Sequence, residues 1–165
     1  MTSSCVAVLF DIDEFKAIND THGHAMGDRV IALFAEAVKQ GLPAKASAAR
    51  IGGEEFALVL RDTSMSQARR HADDVRARFI AQVRAVAGLE CTVSAGLAAG
   101  GPDNASADRV LAEADRALYE AKRGGRNRVV TARRKGASGD PPPGDPPSTT
   151  PLAGDMPERI PATLT

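Results

Sequence analysis

At 165 residues the chain has room for one ordinary domain with a modest core. Its 43% hydrophobic and 25% charged content suits a globular protein in water. With 21 basic residues against 21 acidic ones there is no global positive field to mark nucleic acid as a partner, and no run of about 18 apolar residues offers a membrane span.

Met1-Thr2-Ser3-Ser4 lacks a basic segment followed by a long apolar one, so the expected location is cytoplasmic. Cys5-Val6-Ala7-Val8-Leu9-Phe10 is a continuous apolar run, the pattern of a strand buried on both faces, and it stops at Asp11. Phe15 to about Thr21 predicts a short helix, broken by Gly23 and Gly27. A second helix follows, with Ile31, Phe34, Ala37 and Val38 at helical spacing. Ala48-Ala49-Arg50-Ile51 and Phe56-Ala57-Leu58-Val59-Leu60 predict two strands joined around Gly52-Gly53-Glu54-Glu55, a hairpin.

Ser64 with Gln67 three residues on is a capping box. The helix it opens carries Ala68, Ala72, Val75, Phe79, Val83 and Val86 on one face. Cys91 to Ala95 alternates as a strand does. From Ser106 a further stripe runs through Val110, Leu111, Ala114, Ala117, Leu118 and Ala121, closed by Gly124-Gly125, and Arg128-Val129-Val130 predicts a last strand. Cys5 and Cys91 both fall in apolar stretches without disulfide or zinc spacing, so both are expected reduced.

Composition shifts near Arg133. Eight of the ten prolines lie beyond it, with no apolar periodicity, so residues 134–165 read as a disordered Pro/Gly-rich tail and residues 1–133 as the domain. The element order β-α-α-β-β-α-β-α-β predicts an α+β fold, a mostly antiparallel central sheet flanked by helices.

Asp11 stands where a buried strand runs out, and Glu54 and Glu55 stand at a hairpin tip. If the strand lies beside the hairpin, Asp11 and Glu54 converge. Hard oxygen ligands gathered so suit Mg²⁺, which keeps several waters and takes further ligands from substrate phosphates. Gly52 and Gly53 let the backbone approach a phosphate closely. Taken singly, acids at strand ends and turn tips are ordinarily just solvated.

Their company is more specific. Asp11-Ile12-Asp13-Glu14-Phe15-Lys16-Ala17-Ile18-Asn19-Asp20, Gly23-His24-Ala25-Met26-Gly27-Asp28, Arg50-Ile51-Gly52-Gly53-Glu54-Glu55-Phe56 and Ala114-Asp115-Arg116-Ala117-Leu118-Tyr119-Glu120-Ala121-Lys122 with Gly125-Arg126-Asn127 occur in that order over some 120 residues. In these four segments the chain resembles the GGDEF domain of diguanylate cyclases, a palm-like nucleotidyl-cyclase fold. The resemblance implies condensation of two GTP to cyclic di-GMP with release of two pyrophosphates, each 3′-hydroxyl attacking the α-phosphate of the other nucleotide. It implies Mg²⁺ (or Mn²⁺) held by Asp11, Glu54 and the Ile12 carbonyl, with Glu55 supporting the site or taking the hydroxyl proton.

By the same resemblance Asn19 and Asp28 read the guanine, while Gly52, Gly53, Lys122 and Arg126 hold phosphates. Read as residues alone, Asn19 is a helix-terminal residue bonding its own backbone and Asp28 an N-cap. Lys122 and Arg126 are then helix C-terminal charges. Arg50 is expected to be a structural or secondary-site residue rather than a catalytic one. His22 and His24 shape their loop, and His71 lies on a polar helix face. One site holds one GTP and the product joins two, so a transient homodimer is implied.

Two departures stand out. The family's product-inhibition pair, an Arg and an Asp, is replaced by Pro43 and Ala46, so feedback by product is expected to be weak or missing. The leader that usually precedes the first strand is absent from this sequence, which supplies the alternative expectation: a catalytically weak or inactive GGDEF module that binds GTP or a protein partner.

Overall fold

The computed structural model describes residues 5–100 and 106–133. The expected tail lies outside them. Element order matches the expectation: β1 (Cys5–Ile12), α1 (Phe15–His22), α2 (His24–Lys39), β2 (Ala46–Arg50), β3 (Glu55–Arg61), α3 (Met65–Ala87), β4 (Val93–Gly100), α4 (Ala107–Arg123) and β5 (Val129–Thr131). The strands form one sheet in the order β2-β3-β1-β4-β5. Every pairing is antiparallel except β4 with β5. The result is an α+β domain with β1 at its centre.

Alternation along β1 divides the sheet into two faces. Val6, Val8, Phe10 and Ile12 point into the larger core, shared with Phe56, Leu58 and Leu60 of β3 and the buried stripes of α2 and α3. Phe34 sits among Phe10, Phe56 and Phe79, with ring centroids 5.4, 4.7 and 5.1 Å away in edge-to-face geometry. Ala7 and Leu9 point the other way, to a small cluster with Ala98, Val110, Ala114 and Leu118. There α4 lies so close to the sheet that a Cβ on Gly96 would run into the backbone at Ala114 and Leu118.

The helix ends follow local chemistry. The Gln67 N–H donates to Ser64 Oγ at 3.3 Å and the Ser64 N–H to Gln67 Oε1 at 2.9 Å, so the capping box starts α3 as expected. Gly88, at φ +66°, ends that helix in the left-handed conformation. Ser106 caps α4 by accepting the Arg109 N–H.

Several details differ from the sequence reading. β1 continues past Phe10 through Asp11 to Ile12, because polar Asp11 still pairs with Glu55 and Ser94 on its two sides. Gly27 does not break a helix but lies buried inside α2. A Cβ there would meet the Asn19 amide and, at 3.1 Å, the Phe15 ring, so the glycine lets those two α1 side chains settle against α2. β4 begins at Val93 and runs on to Gly100, leaving Cys91 buried just ahead of it, while Cys5 is half-buried; both thiols are free. Val86 is exposed, as α3 has by then passed the edge of the core. His71 is half-buried rather than on a polar face, and burial lowers its pKa, with the Arg78 charge adding to the effect.

Candidate active site

The hairpin between β2 and β3 is built around a guanidinium. Arg50 Nε donates to the carbonyls of Gly52 and Gly53, both at 3.1 Å, and Nη2 donates to Gly53 at 2.7 Å. The Ile51 and Gly52 N–H groups donate to the Glu55 carbonyl at 2.9 and 3.3 Å. Arg50 is therefore structural, gathering carbonyls that would otherwise splay. A Cβ on Gly52 would come within 2.5 Å of Glu55 Oε2, so this glycine lets Glu55 fold over the loop. A Cβ on Gly53 would meet nothing within 4 Å, which leaves that part of the loop open to an approaching group.

The loop tip is tied to the end of β1. The Ile12 N–H donates to the Glu54 carbonyl at 3.2 Å, and Asp11 stands opposite Glu55 in the β1–β3 register. Asp11 is 7% exposed and lies on the α4 side of the sheet, where Lys122 Nζ donates to Oδ2 at 2.7 Å. Burial pushes the Asp11 carboxyl above the usual aspartate range; Lys122 opposes this, and the charge of Asp13 adds to it. Glu55 is pushed up as well, by partial burial first and then by Asp11, with Glu54 and Asp115 adding and Lys122 opposing.

One ammonium, Lys122, thus stands among Asp11, Glu55 and the neighbouring acids Asp13, Glu54 and Asp115. A hard divalent cation fits such a set of oxygen donors. Among the described residues no three His, Cys, Asp or Glu side chains gather as a metal cage. The donor set suits an ion that completes its shell with water and phosphate oxygens.

Asn19 lies on α1 and Asp28 on α2, next in the chain to Gly27. Asn19 Oδ1 is buried against Gly27 without a donor. Its backbone carbonyl accepts the Gly23 N–H at 2.8 Å, but its side chain does not cap its own helix. Asp28 is exposed within α2, whose N-cap is Gly23, so it is not a capping residue. Arg126 follows the end of α4 in a left-handed turn, φ +60°, with Asn127 at φ +47°. It is exposed and lines a cleft of about 560 Å³ with Asp13, Ile18, His22 and Cys91 among others. Burial, with the Asp13 charge adding, raises the Cys91 thiol to about 12, which keeps it protonated and chemically quiet.

Three features escaped the sequence reading. The Lys122 to Asp11 ion pair joins residues far apart in the chain. Arg76 Nη1 donates to Asn127 Oδ1 at 2.6 Å. Asp13, only 6% exposed, accepts hydrogen bonds from Thr92, Ser94 and Asn127. In the sequence Asp13 is marked by its place two residues after Asp11, within the Asp11-to-Asp20 segment, which does not give it a role.

A family model described as "Diguanylate cyclase, GGDEF domain" matches residues 1–128. The chain belongs to the GGDEF domain family. Among curated relatives, diguanylate cyclase A of Treponema denticola is 40% identical over 128 residues, covering 76% of this chain but 34% of that protein. The chain thus spans about a third of that relative's length. Among solved structures, the GGDEF domain of DgcB from Caulobacter crescentus, in complex with c-di-GMP, superposes with a TM-score of 0.72 at 40% identity, covering 79% of this chain and 78% of that one. The active GGEEF domain of a diguanylate cyclase from Vibrio cholerae gives 0.73 at 32% identity, covering 82% and 85%. Within this GGDEF domain Pro43 and Ala46 form the turn that opens β2, the Ala46 N–H donating to the Pro43 carbonyl at 2.9 Å. Neither position carries a charged or hydrogen-bonding side chain.

Proposed function

We propose that this GGDEF domain is a diguanylate cyclase, condensing two GTP to cyclic di-GMP and two pyrophosphates across a transient homodimer. The observation that carries the reading is the buried Asp11 carboxylate at the end of β1, beside the Glu54–Glu55 loop and facing Lys122 at 2.7 Å. Asp11, Glu54 and the Ile12 carbonyl would hold Mg²⁺ or Mn²⁺, which supplies Lewis-acid stabilisation of the attacking and leaving oxygens. Lys122, released from Asp11, and Arg126 bind the terminal phosphates as point charge and fork. Gly52 and Gly53 give the triphosphate a close backbone approach.

Asp28 accepts from the guanine N1–H and N2–H₂ edge, a donor pair adenine lacks, with Asn19 beside it. Glu55, its carboxyl raised by partial burial and neighbouring acids, would take the 3′-hydroxyl proton as a general base. The hydroxyl oxygen then bonds the α-phosphorus of the facing nucleotide and the bond to pyrophosphate breaks. Two protomers must face each other for both bonds to form. No described helix is long and apolar enough to cross a membrane, in keeping with a cytoplasmic site of action.

The test is incubation of the purified chain with GTP and Mg²⁺, with cyclic di-GMP read by chromatography beside a Glu54→Gln control. Product from the parent alone supports the cyclase. A second reading, a GGDEF module that binds GTP or a protein partner without turnover, draws on the same ion pair, because Lys122 closes over Asp11 where a cation would sit. GTP binding without product would select it.

A further inference from the structure

We infer that Asp13 is a positioning residue: its buried carboxylate fixes the α4–β5 turn against the end of β1 and so sets where Arg126 stands relative to Asp11. The inference rests on the reading of Arg126 as a phosphate ligand. Asp13 invites another role, since it lies two residues after Asp11 and a pair of acids so spaced is a natural metal pair. The hydrogen bonds assign it differently.

Each Asp13 oxygen is engaged by the protein. Oδ1 accepts from Ser94 Oγ at 2.7 Å, and Oδ2 accepts from Thr92 Oγ1 at 2.7 Å and from the Asn127 N–H at 3.0 Å. The Asp13 N–H itself donates to the Thr92 carbonyl at 2.9 Å, so backbone and side chain grip the start of β4 together. A carboxylate that is 6% exposed and takes three donors is spent on the fold around it.

The third donor matters most. The Asn127 N–H belongs to the peptide unit that directly follows Arg126. Arg126 and Asn127 are consecutive non-glycine residues at positive φ, +60° and +47°. Such conformations persist only where their surroundings over-determine them. Here Asp13 holds the amide, Arg76 Nη1 holds Asn127 Oδ1 at 2.6 Å from α3, and Arg128 Nε holds the Arg126 carbonyl at 3.0 Å. The carboxylate therefore joins β1, β4 and the turn at one point, and within that turn Arg126 stands four residues after Lys122. Were it lost, the turn would relax toward ordinary backbone angles and carry Arg126 away from the triphosphate.

The test is calorimetric titration of inorganic tripolyphosphate, and of GTP, each with Mg²⁺, into the parent chain, Asp13→Ala, Asp13→Asn and Thr92→Val. Circular dichroism confirms that each variant is folded. Asp13→Ala is expected to weaken both ligands about ten- to a hundredfold, since a displacement of about 1 Å in a binding group costs that much. Asp13→Asn is expected to stay within about threefold of the parent. Its amide oxygen can keep Thr92 and Asn127, and its Nδ2 can donate to Ser94 Oγ, whose hydroxyl then turns to accept. Thr92→Val, which removes one donor and keeps the packing, is expected to weaken binding a fewfold and serves where Asp13→Ala does not fold.

A folded Asp13→Ala or Thr92→Val that binds as the parent does overturns the inference. So does an Asp13→Asn as weak as Asp13→Ala, because that pattern belongs to a charge acting on a metal. A parent that binds neither GTP nor tripolyphosphate removes the phosphate reading of Arg126, and the inference falls with it. A parent that binds while Asp13→Ala matches it removes the inference alone.

Discussion

The two faces of the sheet are packed by different means. Toward α2 and α3 the contacts are large: Phe10, Phe34, Phe56 and Phe79 interlock, with Phe34 at their centre. Toward α4 they are small: Ala7, Ala98 and Ala114 with Leu9, Val110 and Leu118, and a glycine where helix backbone meets sheet backbone. Bulk on one side makes the domain stable. Smallness on the other brings the end of α4 near enough for Lys122 to reach the carboxylate at the end of β1. Stability and site construction are thus assigned to opposite faces of the same strand, β1.

The comparison breaks first at Phe34. Truncating a fully buried aromatic costs about 3–5 kcal/mol, from lost transfer energy and the cavity left behind. Against a total of about 5–15 kcal/mol for a typical domain, Phe34→Ala is expected to bring the chain close to unfolding. Denaturant melts would show it as a fall in midpoint. The α4 face should respond differently. Gly96→Ala places a methyl against helix backbone, which cannot rotate away as a side chain can, and overpacking of this kind costs about 1–3 kcal/mol. The larger expected effect is on function: α4 moves outward, Lys122 separates from Asp11, and the proposed cyclase activity falls by about tenfold or more while the fold survives. A Gly96→Ala protein with parental activity would show that the close approach does not build the site.

The same division explains what could be read from sequence. Elements facing the large core carried strong apolar patterns: the run from Cys5 to Phe10 and the α3 stripe from Ala68 to Val83 are both where periodicity put them. The α4 stripe was equally legible, as were the hairpin and its acids. What escaped depends on contacts between distant segments. Gly27 reads as a helix breaker unless one knows that Asn19 lies against it. Cys91 reads as a strand residue because the apolar alternation starts two residues ahead of the pairing. Asp13 is an unremarkable acid until β4 and the α4–β5 turn are folded around it. Lys122 reads as a helix C-terminal charge until the fold sets it on Asp11. Local pattern carries elements and motif carries the site's membership, but only tertiary contact tells which member holds which.

Electrostatics offers a smaller and more selective perturbation. Asp11 and Glu55 both have carboxyls raised by burial. A raised folded pKa means these groups favour folding most when protonated. Their contribution is full below the ordinary carboxylate range, about pH 4, and is lost as pH rises through the raised folded values. A divalent cation reverses that loss only where the carboxylates are ionised. At tenfold excess over its dissociation constant Mg²⁺ would stabilise the domain by roughly 1.4 kcal/mol, a shift of a few degrees in melting temperature. The shift is expected at pH 7.5 and should shrink toward pH 4.5. An equal shift at both values would place the ion somewhere other than Asp11.

The smallest expected change in stability tests the α1–α2 junction. Gly27→Ala puts a methyl where the Asn19 amide now rests, and that amide is the end of a short side chain that can swing aside. Alanine gains about 1 kcal/mol of helix propensity over glycine in α2. That gain offsets much of the repulsion, so the melting temperature should move little. Nucleotide binding should not be so forgiving, since Asn19 Oδ1 is seated against Gly27 and its displacement disturbs the place assigned to guanine. The expected result is a KM for GTP raised about tenfold at nearly unchanged stability, with Asn19→Ala giving a similar KM and the double variant adding little more, as groups acting through one contact do. Independent, additive losses would mean that Gly27 serves only the packing of α1 on α2.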